Sequence, residues 1–340
     1  MCERLKDVND WQPSASLELL QLRADIVRSI RSFFEKNKLL EVDTPILSAA
    51  TVPDPFIESF QTRYTSSIQV LENNQFFLHT SPEFPMKRLL ASGSGSIFQI
   101  TKVFRQGESG KKHNPEFTLL EWYRDAWDHQ QLMREVEQLL TLLISPYRSL
   151  GKTRYLTYQD AFMERLEINP HNASKEDLIS CAKRLGLANV LDNNEHKDRF
   201  LDLLFSHIIE PELGWDKQEN KPCLCFLYHY PSSQASLAKI AEHDGQLMAE
   251  RFEVFIDTLE IGNGFHELNN ADEQRQRFEQ DNQQRKQAGL NTIPMDEHFL
   301  SAVDRLPNCA GVAIGIERLL MVISQAKHIH DVLSFPIDRA

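Results

Sequence analysis

Apolar residues recur at Leu19, Leu22, Ile26, Ile30, Phe33 and Phe34, a helical spacing that predicts an amphipathic helix up to about Lys38. Ser14 or Ser16 can cap it. Leu40 to Pro45 then alternates like a strand and stops at proline, which suits an edge or an interface. Residues 75–80 predict a further strand, leading through Ser81-Pro82-Glu83 into a short helix from about Phe84 to Leu90. Ile97 to Phe104 and Phe117 to Tyr123 are dense in apolar and aromatic side chains. The connector between them carries Gly107, Gly110 and Pro115, so the pair reads as a long-loop antiparallel hairpin. Leu132 to Leu143 predicts a helix.

The pattern changes over residues 150–220, which are charged, mostly helical and punctuated by Pro170 and Pro211; they read as an insertion on the core. Leu224 to Tyr230 predicts a strand, and residues 236–250 have mixed character around Gly245. Arg251 to Glu267 reads as a second hairpin, with Asp257-Thr258 at its turn. Residues 272–289 predict a polar, solvent-facing helix, and Gly311 to Met321 a small-residue strand feeding an apolar helix. Few regular βα alternations occur, so the expected class is α+β: an antiparallel sheet flanked by helices. The expected organisation is a leader at 1–15 and one domain over 16–340 that carries the 150–220 insertion.

Composition narrows the function classes. At 340 residues, with 41% hydrophobic and 25% charged positions, the chain can bury a sizeable core. A formal charge of −12 argues against broad, sequence-independent nucleic-acid binding, which needs a basic footprint. Cys2, Cys181, Cys223, Cys225 and Cys309 form no paired framework, and Cys223-Leu224-Cys225 lacks a matching second pair for zinc. Free thiols suit a reducing compartment. With no apolar signal core at the start and no stretch long enough to span a bilayer, a cytoplasmic protein is expected.

The two hairpins carry the candidate chemistry. Period-two geometry puts Phe117, Leu119, Glu121 and Tyr123 on one face. Arg105, ending the first strand beside a loop with Lys111, Lys112 and His113, suits a bound polyphosphate; an edge hairpin with a solvated basic loop is the plainer alternative. In the second hairpin Phe255 falls opposite Glu260, and Glu253 sits diagonally from Glu260 on the same face. Two such carboxylates repel unless a cation joins them, and Mg²⁺ with a nucleotide is the economical candidate; a solvent-facing acidic strand is the alternative. Asn263, Phe265 and Glu267 share a face, with Gly262 and Gly264 placed to bulge the strand. Arg318 stands where its guanidinium can cover an aromatic ring, although close helix–strand packing explains the small residues before it equally well. His79, His113 and His266 lack metal-ligand spacing, so no metal is assigned to them. Neither a dinucleotide fingerprint nor a phosphate-loop lysine motif occurs.

Taken together, Thr80-Ser81-Pro82-Glu83, Phe104-Arg105 through His113-Asn114-Pro115-Glu116-Phe117-Thr118 to Glu121-Trp122-Tyr123, Glu260-Ile261-Gly262-Asn263-Gly264-Phe265-His266-Glu267-Leu268 and Gly315-Ile316-Glu317-Arg318 resemble class II aminoacyl-tRNA synthetases of the lysyl type. Lysyl-tRNA synthetases carry an N-terminal anticodon-binding OB-fold, for which this chain has no room. The family glycine before the final motif is Ala313 here, preceded by Pro307-Asn308-Cys309-Ala310-Gly311, and the loop has the form Arg105-Gln106-Gly107-Glu108. In these respects the chain is similar to the stand-alone synthetase paralogues that modify elongation factor P.

That resemblance implies ATP-dependent activation of (R)-β-lysine and its attachment to a lysine of elongation factor P, with Mg²⁺ at Glu253 and Glu260 and no stable tRNA binding. It implies that Arg105 neutralises charge on the reacting phosphate. Phe117 and Arg318 would sandwich adenine, and Gln106, Gly107, Glu108, His113, Asn114, Glu260, Ile261 and Gly315 would complete the ATP contacts. The family's loop glutamate falls at Gly107, so Glu108 or backbone groups take its role. Glu83, Glu121 and Glu267 would receive a dicationic substrate, with Ser81, Pro82, Tyr123, Asn263, Phe265 and Ala313 around them. Three clustered carboxylates are costly unless cations fill the site. The Ala313 methyl is worth roughly 1–3 kcal/mol between close analogues, enough to favour one lysine isomer. A homodimer is implied as well, through the first helix and the strand ending at Pro45. A truncated synthetase that charges tRNA with α-lysine and a non-catalytic regulator are the competing readings.

Overall fold

The structure is a computed structural model describing residues 11–64, 74–187, 190–192 and 194–340. The first helix, α1 (Leu17–Lys36), is capped by Ser16, whose hydroxyl accepts from the Leu19 amide at 3.3 Å. Its stripe buries Ile26, Ile30 and Phe34 within the chain itself, and Phe34 stacks on Phe98 at 4.6 Å. Short strands β1 (Leu40–Glu41), β2 (Leu47–Ser48), β3 (Gln61–Arg63) and β4 (Gln75–Leu78) follow, then helix α2 (Glu83–Ala91). Only two residues of the expected 40–45 strand pair, and they do so in parallel with the next long strand. That strand, β5 (Ile97–Phe104), neighbours β6 (Glu116–Asp125), which forms the other side of the first hairpin. Asp128 begins α3 (His129–Ile144) through a capping box with Gln131.

Over 150–220 the chain forms β7 (Arg154–Thr157), α4 (Tyr158–Leu166), α5 (Lys175–Arg184), α6 (Lys197–Leu204), β8 (Trp215–Asp216) and β9 (Lys221–Pro222). Strands β10 (Cys225–Pro231), β11 (Ile240–His243), β12 (Gln246–Ile256) and β13 (Leu259–His266) come next. Asp257 and Thr258 both take positive φ, +54 and +60, the twist that a two-residue hairpin turn demands. Then follow α7 (Ala271–Gln287), α8 (Glu297–Val303), β14 (Cys309–Gly315) and α9 (Ile316–Ser324). Helix α7 is not wholly solvent-facing: Gln274, Phe278 and Arg285 are buried. Arg285 donates to the Asp54 carbonyl and to Glu58 at 2.6 Å, which an i, i+3, i+4 count of apolar residues cannot anticipate.

Two compact units are distinguishable, Met1–Trp122 with Asn270–Leu306 and Ile314–Ala340, and Tyr123–Asn269 with Pro307–Ala313. In the first, β1, β5 and β6 lie side by side, and β2, β4 and β3 form a small separate sheet. In the second, β14, β13, β12, β10 and β7 are neighbours in that order, with β11 added to β12. The β10–β12, β11–β12 and β12–β13 pairings are antiparallel, whereas β7–β10 and β1–β5 are parallel. The fold is α+β with a largely antiparallel sheet. Residues of the helical insertion do not form a core of their own: Tyr158, Phe162, Leu178, Phe200 and Leu204 pack in one cluster with Leu227, Ala249 and Phe255 of the sheet. No described helix is long and apolar enough to cross a membrane.

Candidate active site

In the first unit the loop after β5 presents Arg105. Its guanidinium lies 5.1 Å from the Phe117 ring centroid, and Glu108 stands 3.6 Å from it. The loop is pinned at both ends: the Arg105 amide donates to the Pro115 carbonyl at 2.8 Å and the Gln106 amide to the Glu58 carbonyl at 2.7 Å. Glu58 is the residue that Arg285 grips, so a buried arginine on α7 steadies the turn beyond Arg105. Gly107 sits at φ +84, where a side chain would be strained.

Arg318 donates to His113 Nε2 at 2.6 Å, which requires that nitrogen to be the unprotonated one. Arg105 thus lies against the Phe117 ring, while Arg318 meets the His113 imidazole. Arg318 is placed by its neighbour Glu317, at the start of α9. That buried carboxylate accepts from the Thr118 amide (2.8 Å), the Thr118 hydroxyl (2.9 Å) and Arg23 (3.0 Å). Gly315 is the N-cap position of α9. The Asn114 amide is buried and spans two backbone groups, donating to the Glu116 carbonyl at 2.7 Å and accepting from the Ile337 amide at 3.1 Å. It ties the loop to the C-terminal segment.

Three acidic positions were expected to await a dicationic substrate. Glu83 has its own cation: Lys87, one helical turn on and 2% exposed, donates to it at 2.5 Å. Glu121 is buried and accepts from the Ser81 hydroxyl at 2.7 Å, and the same hydroxyl accepts from the Glu83 amide at 3.1 Å. Pro82, at the N-cap position of α2, starts the helix that carries Glu83.

In the second unit Tyr123 and Glu267 are buried against Gly311. A Cβ at Gly311 would fall 2.3 Å from Tyr123 Cε1 and 2.5 Å from Glu267 Oε1, so only glycine lets these groups meet the β14 backbone. Gly264 is similarly constrained, with Phe252 Cζ at 2.4 Å from its would-be Cβ. Phe255 pairs with Glu260 and Val254 with Gly262, leaving Ile261 as the extra residue of a bulge. Ile261 is buried, and Ala313 on β14 is half-buried.

Glu253 accepts from Arg251 at 2.5 Å, and Arg251 also reaches Asn263 Oδ1 at 3.3 Å and lies 4.7 Å over Tyr230 and 6.0 Å from the Phe265 ring centroid. Burial pushes the Glu253 carboxyl up; Arg251 opposes this and the Glu260 carboxylate adds to it, leaving it at about 6. The pair is short of positive charge even with Arg251 alongside, which suits a divalent cation.

Sequence reasoning missed Arg251, Lys87, Glu317 and Arg285. Two had a local signal, since Lys87 is i+4 from Glu83 on a predicted helix and Arg251 is i−2 from Glu253 on a predicted strand. The fold also brings together histidines that show no ligand spacing along the chain. His266 gathers with His129 and Glu250, their potential ligand atoms all within 4.8 Å of one another. His79 does not take part: its Nε2 donates to the Lys102 carbonyl at 2.7 Å.

A family model for class II tRNA synthetases (D, K and N) matches residues 5–339. The chain is 46% identical over 334 residues, 98% of its own length and 99% of the relative's, to a protein of Pseudoalteromonas translucida named elongation factor P–(R)-β-lysine ligase. Proteins of the same name from Pectobacterium atrosepticum and Edwardsiella ictaluri are 45% and 46% identical over 337 residues, 99% of this chain and 100% of each relative.

Proposed function

The chain belongs to the class II tRNA synthetase family (D, K and N), and from that premise we propose that it is an ATP-dependent ligase that joins (R)-β-lysine to a lysine side chain of elongation factor P. The observation that carries the reading is near end-to-end similarity to ligases of that name. In the first step a β-lysine carboxylate oxygen attacks the α-phosphorus of ATP. The bond to pyrophosphate breaks and a β-lysyl adenylate remains. In the second step a neutral lysine amine of the acceptor attacks the acyl carbon. The bond to AMP breaks, an amide forms and one proton is released. Because an exposed lysine has a pKa of about 10.4, the amine must lose its proton before it attacks.

Both reactants of the first step are anions, so the protein's task is charge neutralisation and alignment. Arg105 is assigned to the phosphate at which charge develops. Phe117 and Arg318 take the adenine faces, with His113 steadying Arg318 and Asn114 holding the loop on which both depend. Gln106, Gly107, Glu108, Ile261 and Gly315 are assigned to the remaining nucleotide contacts. Glu253 and Glu260 are the residues that would hold Mg²⁺, which when bound neutralises phosphate oxygens.

The ammonium groups of β-lysine are assigned to Glu121 and Glu267, with Glu83 contributing through its Lys87-paired carboxylate. Ser81 orients Glu121, Tyr123 and Asn263 offer neutral hydrogen bonds, and Pro82, Phe265 and Ala313 shape the wall. Exposed Leu17, Leu40, Ile46 and Leu47 support a homodimer through the first helix and the segment after it. A cytoplasmic location follows from the partner.

ATP–pyrophosphate exchange tests the reading. Stimulation should be stronger with (R)-β-lysine than with α-lysine, and elongation factor P should gain one β-lysyl group by mass. Equal or reversed stimulation, or charging of tRNA in place of the protein, would overturn it.

A further inference from the structure

Four of the chain's twelve histidines crowd around one carboxylate, Glu250, at a place to which the ligase chemistry assigns nothing. His129 is the first residue of α3, Glu250 lies on β12, and His266 is its neighbour across the pairing on β13. His243 closes β11 with its Nε2 3.5 Å from the second Glu250 oxygen, and His229 stacks on His243 at 4.1 Å. The cluster depends on an irregularity in the sheet. Tyr228 pairs with Phe252 and Tyr230 with Ala249, so Glu250 and Arg251 together oppose the single residue His229, whose φ is +59. Arg251 then joins Glu253 and Asn263, while Glu250 joins the histidines.

His129 makes the bland explanation expensive. It is 2% exposed, yet neither of its ring nitrogens has a hydrogen-bond partner among the described residues. Each orphaned polar atom of this kind ordinarily costs about 1–3 kcal/mol, which a protein avoids unless something satisfies it. His266 gives the complementary sign. Its Nδ1 lies 2.5 Å from Glu250 Oε2 and its Nε2 lies 2.7 Å from Asn308 Oδ1, two acceptors for one ring. Either both nitrogens carry protons, or a cation takes the place of the Nδ1 proton while Nε2–H stays on Asn308. The second arrangement is the usual outer support of a metal-bound histidine, whose far N–H is fixed by an oxygen.

We propose that His129, Glu250 and His266 bind a transition-metal ion of the zinc type that clamps the first turn of α3 to the β12–β13 pair. Imidazole donors select zinc, cobalt, nickel or copper over Mg²⁺. Two histidines and a glutamate make a set that zinc accepts, with a further position for water or His243. Bonds of about 2.0–2.2 Å require tetrahedral ligand atoms roughly 3.4 Å apart. Side-chain adjustments on the order of 1 Å bring the observed cluster, spread over up to 4.8 Å, to that spacing. The site is separate from the carboxylates assigned to Mg²⁺, since Glu250 and His266 contact each other whereas Glu253 contacts Arg251.

The test uses the full-length chain, stripped with a chelator and titrated with Co²⁺, whose visible d–d bands report nitrogen-rich, low-coordinate binding. One equivalent should bind per chain, Zn²⁺ should displace it, and Zn²⁺ should raise the melting temperature. His129→Leu and Glu250→Gln should each abolish the stoichiometric signal, and Asn308→Ala should weaken it by about 10–100-fold. His328→Ala with His330→Ala removes a half-buried histidine pair, rings 4.3 Å apart, and should leave the signal intact. Absence of stoichiometric binding by the wild type overturns the proposal. So does undiminished binding by Glu250→Gln, which preserves shape and decides the matter should His129→Leu fail to fold. Loss of the signal in the His328/His330 double variant would also overturn it.

Discussion

Replacing Gly311 by alanine places a methyl group where Tyr123 Cε1 would be 2.3 Å away, Tyr123 Cδ1 2.4 Å and Glu267 Oε1 2.5 Å. Carbon atoms in contact prefer separations of about 3.5–4.0 Å, so the ring must retreat by roughly 1.2 Å or the β14 backbone must yield. Tyr123 and Glu267 are 2% and 1% exposed, which leaves little room for retreat. Overpacking of this kind costs typically 1–3 kcal/mol of stability, read as a lowered urea midpoint. The functional effect should be larger than the loss of stability suggests, because both displaced groups are assigned to the β-lysine site. A shift near 1 Å in a positioning group can cost about 100-fold in rate. Steady-state exchange assays should therefore show kcat/KM for (R)-β-lysine down by about 100-fold with the KM for ATP little altered. Gly110→Ala, where a Cβ meets nothing within 4 Å, serves as the comparison and should not change β-lysine kinetics. A Gly311→Ala enzyme with a lowered midpoint but unaltered β-lysine kinetics would refute the pocket assignment. An unaltered midpoint would refute the packing argument itself.

Arg105→Ala should lower adenylate formation by about 100–1,000-fold, as expected for one charged donor at a developing anion, with the urea midpoint unchanged. Glu317→Ala removes the acceptor of the Thr118 amide, the Thr118 hydroxyl and Arg23, and should destabilise by about 3 kcal/mol in urea melts. On α7, burial and the nearby Asp54 carboxylate push the Asp281 carboxyl up to about 7 against the pull of Arg277, from 3.8 when unperturbed. Since the folded pKa is the higher one, the folded state holds this proton more tightly. Its contribution is present below about pH 4 and is lost as pH rises through 7. The full shift corresponds to about 4 kcal/mol, which solvent screening at this half-buried group reduces to about 1–2 kcal/mol. Asp281→Asn should thus stabilise the chain at pH 8 and flatten the decline in urea midpoint between pH 5 and 8. An unchanged pH slope in the variant would rule out Asp281 as its source.

The motif residues of the proposed site were legible before any coordinates, but their partners were not. Arg318 announces itself at the strand-to-helix junction, yet the carboxylate beside it, Glu317, meets Arg23 from 294 positions away. Glu83 is legible as an acidic position, but the buried Lys87 that pairs with it is seen only in the fold. Asn114 is legible as a polar loop residue, but the two backbone groups that its amide joins, from separate segments, are not.

Local physics is written in short range: the Ser16 cap, the helical stripe of α1, the Asp257-Thr258 turn and the Phe255–Glu260 pairing follow from neighbours a few residues apart. The sequence by itself therefore determined the α+β class, the two hairpins and the family to which the chain belongs. Tertiary structure alone decided how distant charges are neutralised, because that depends on strand order and register. The histidine cluster is the sharpest case. Residues 129, 229, 243, 250 and 266 show no ligand spacing along the chain. They meet because one extra residue on β12 opposite His229 sends Glu250 toward the histidines and Arg251 toward Glu253. A single-residue slip in pairing, invisible to periodicity, separates the two sites.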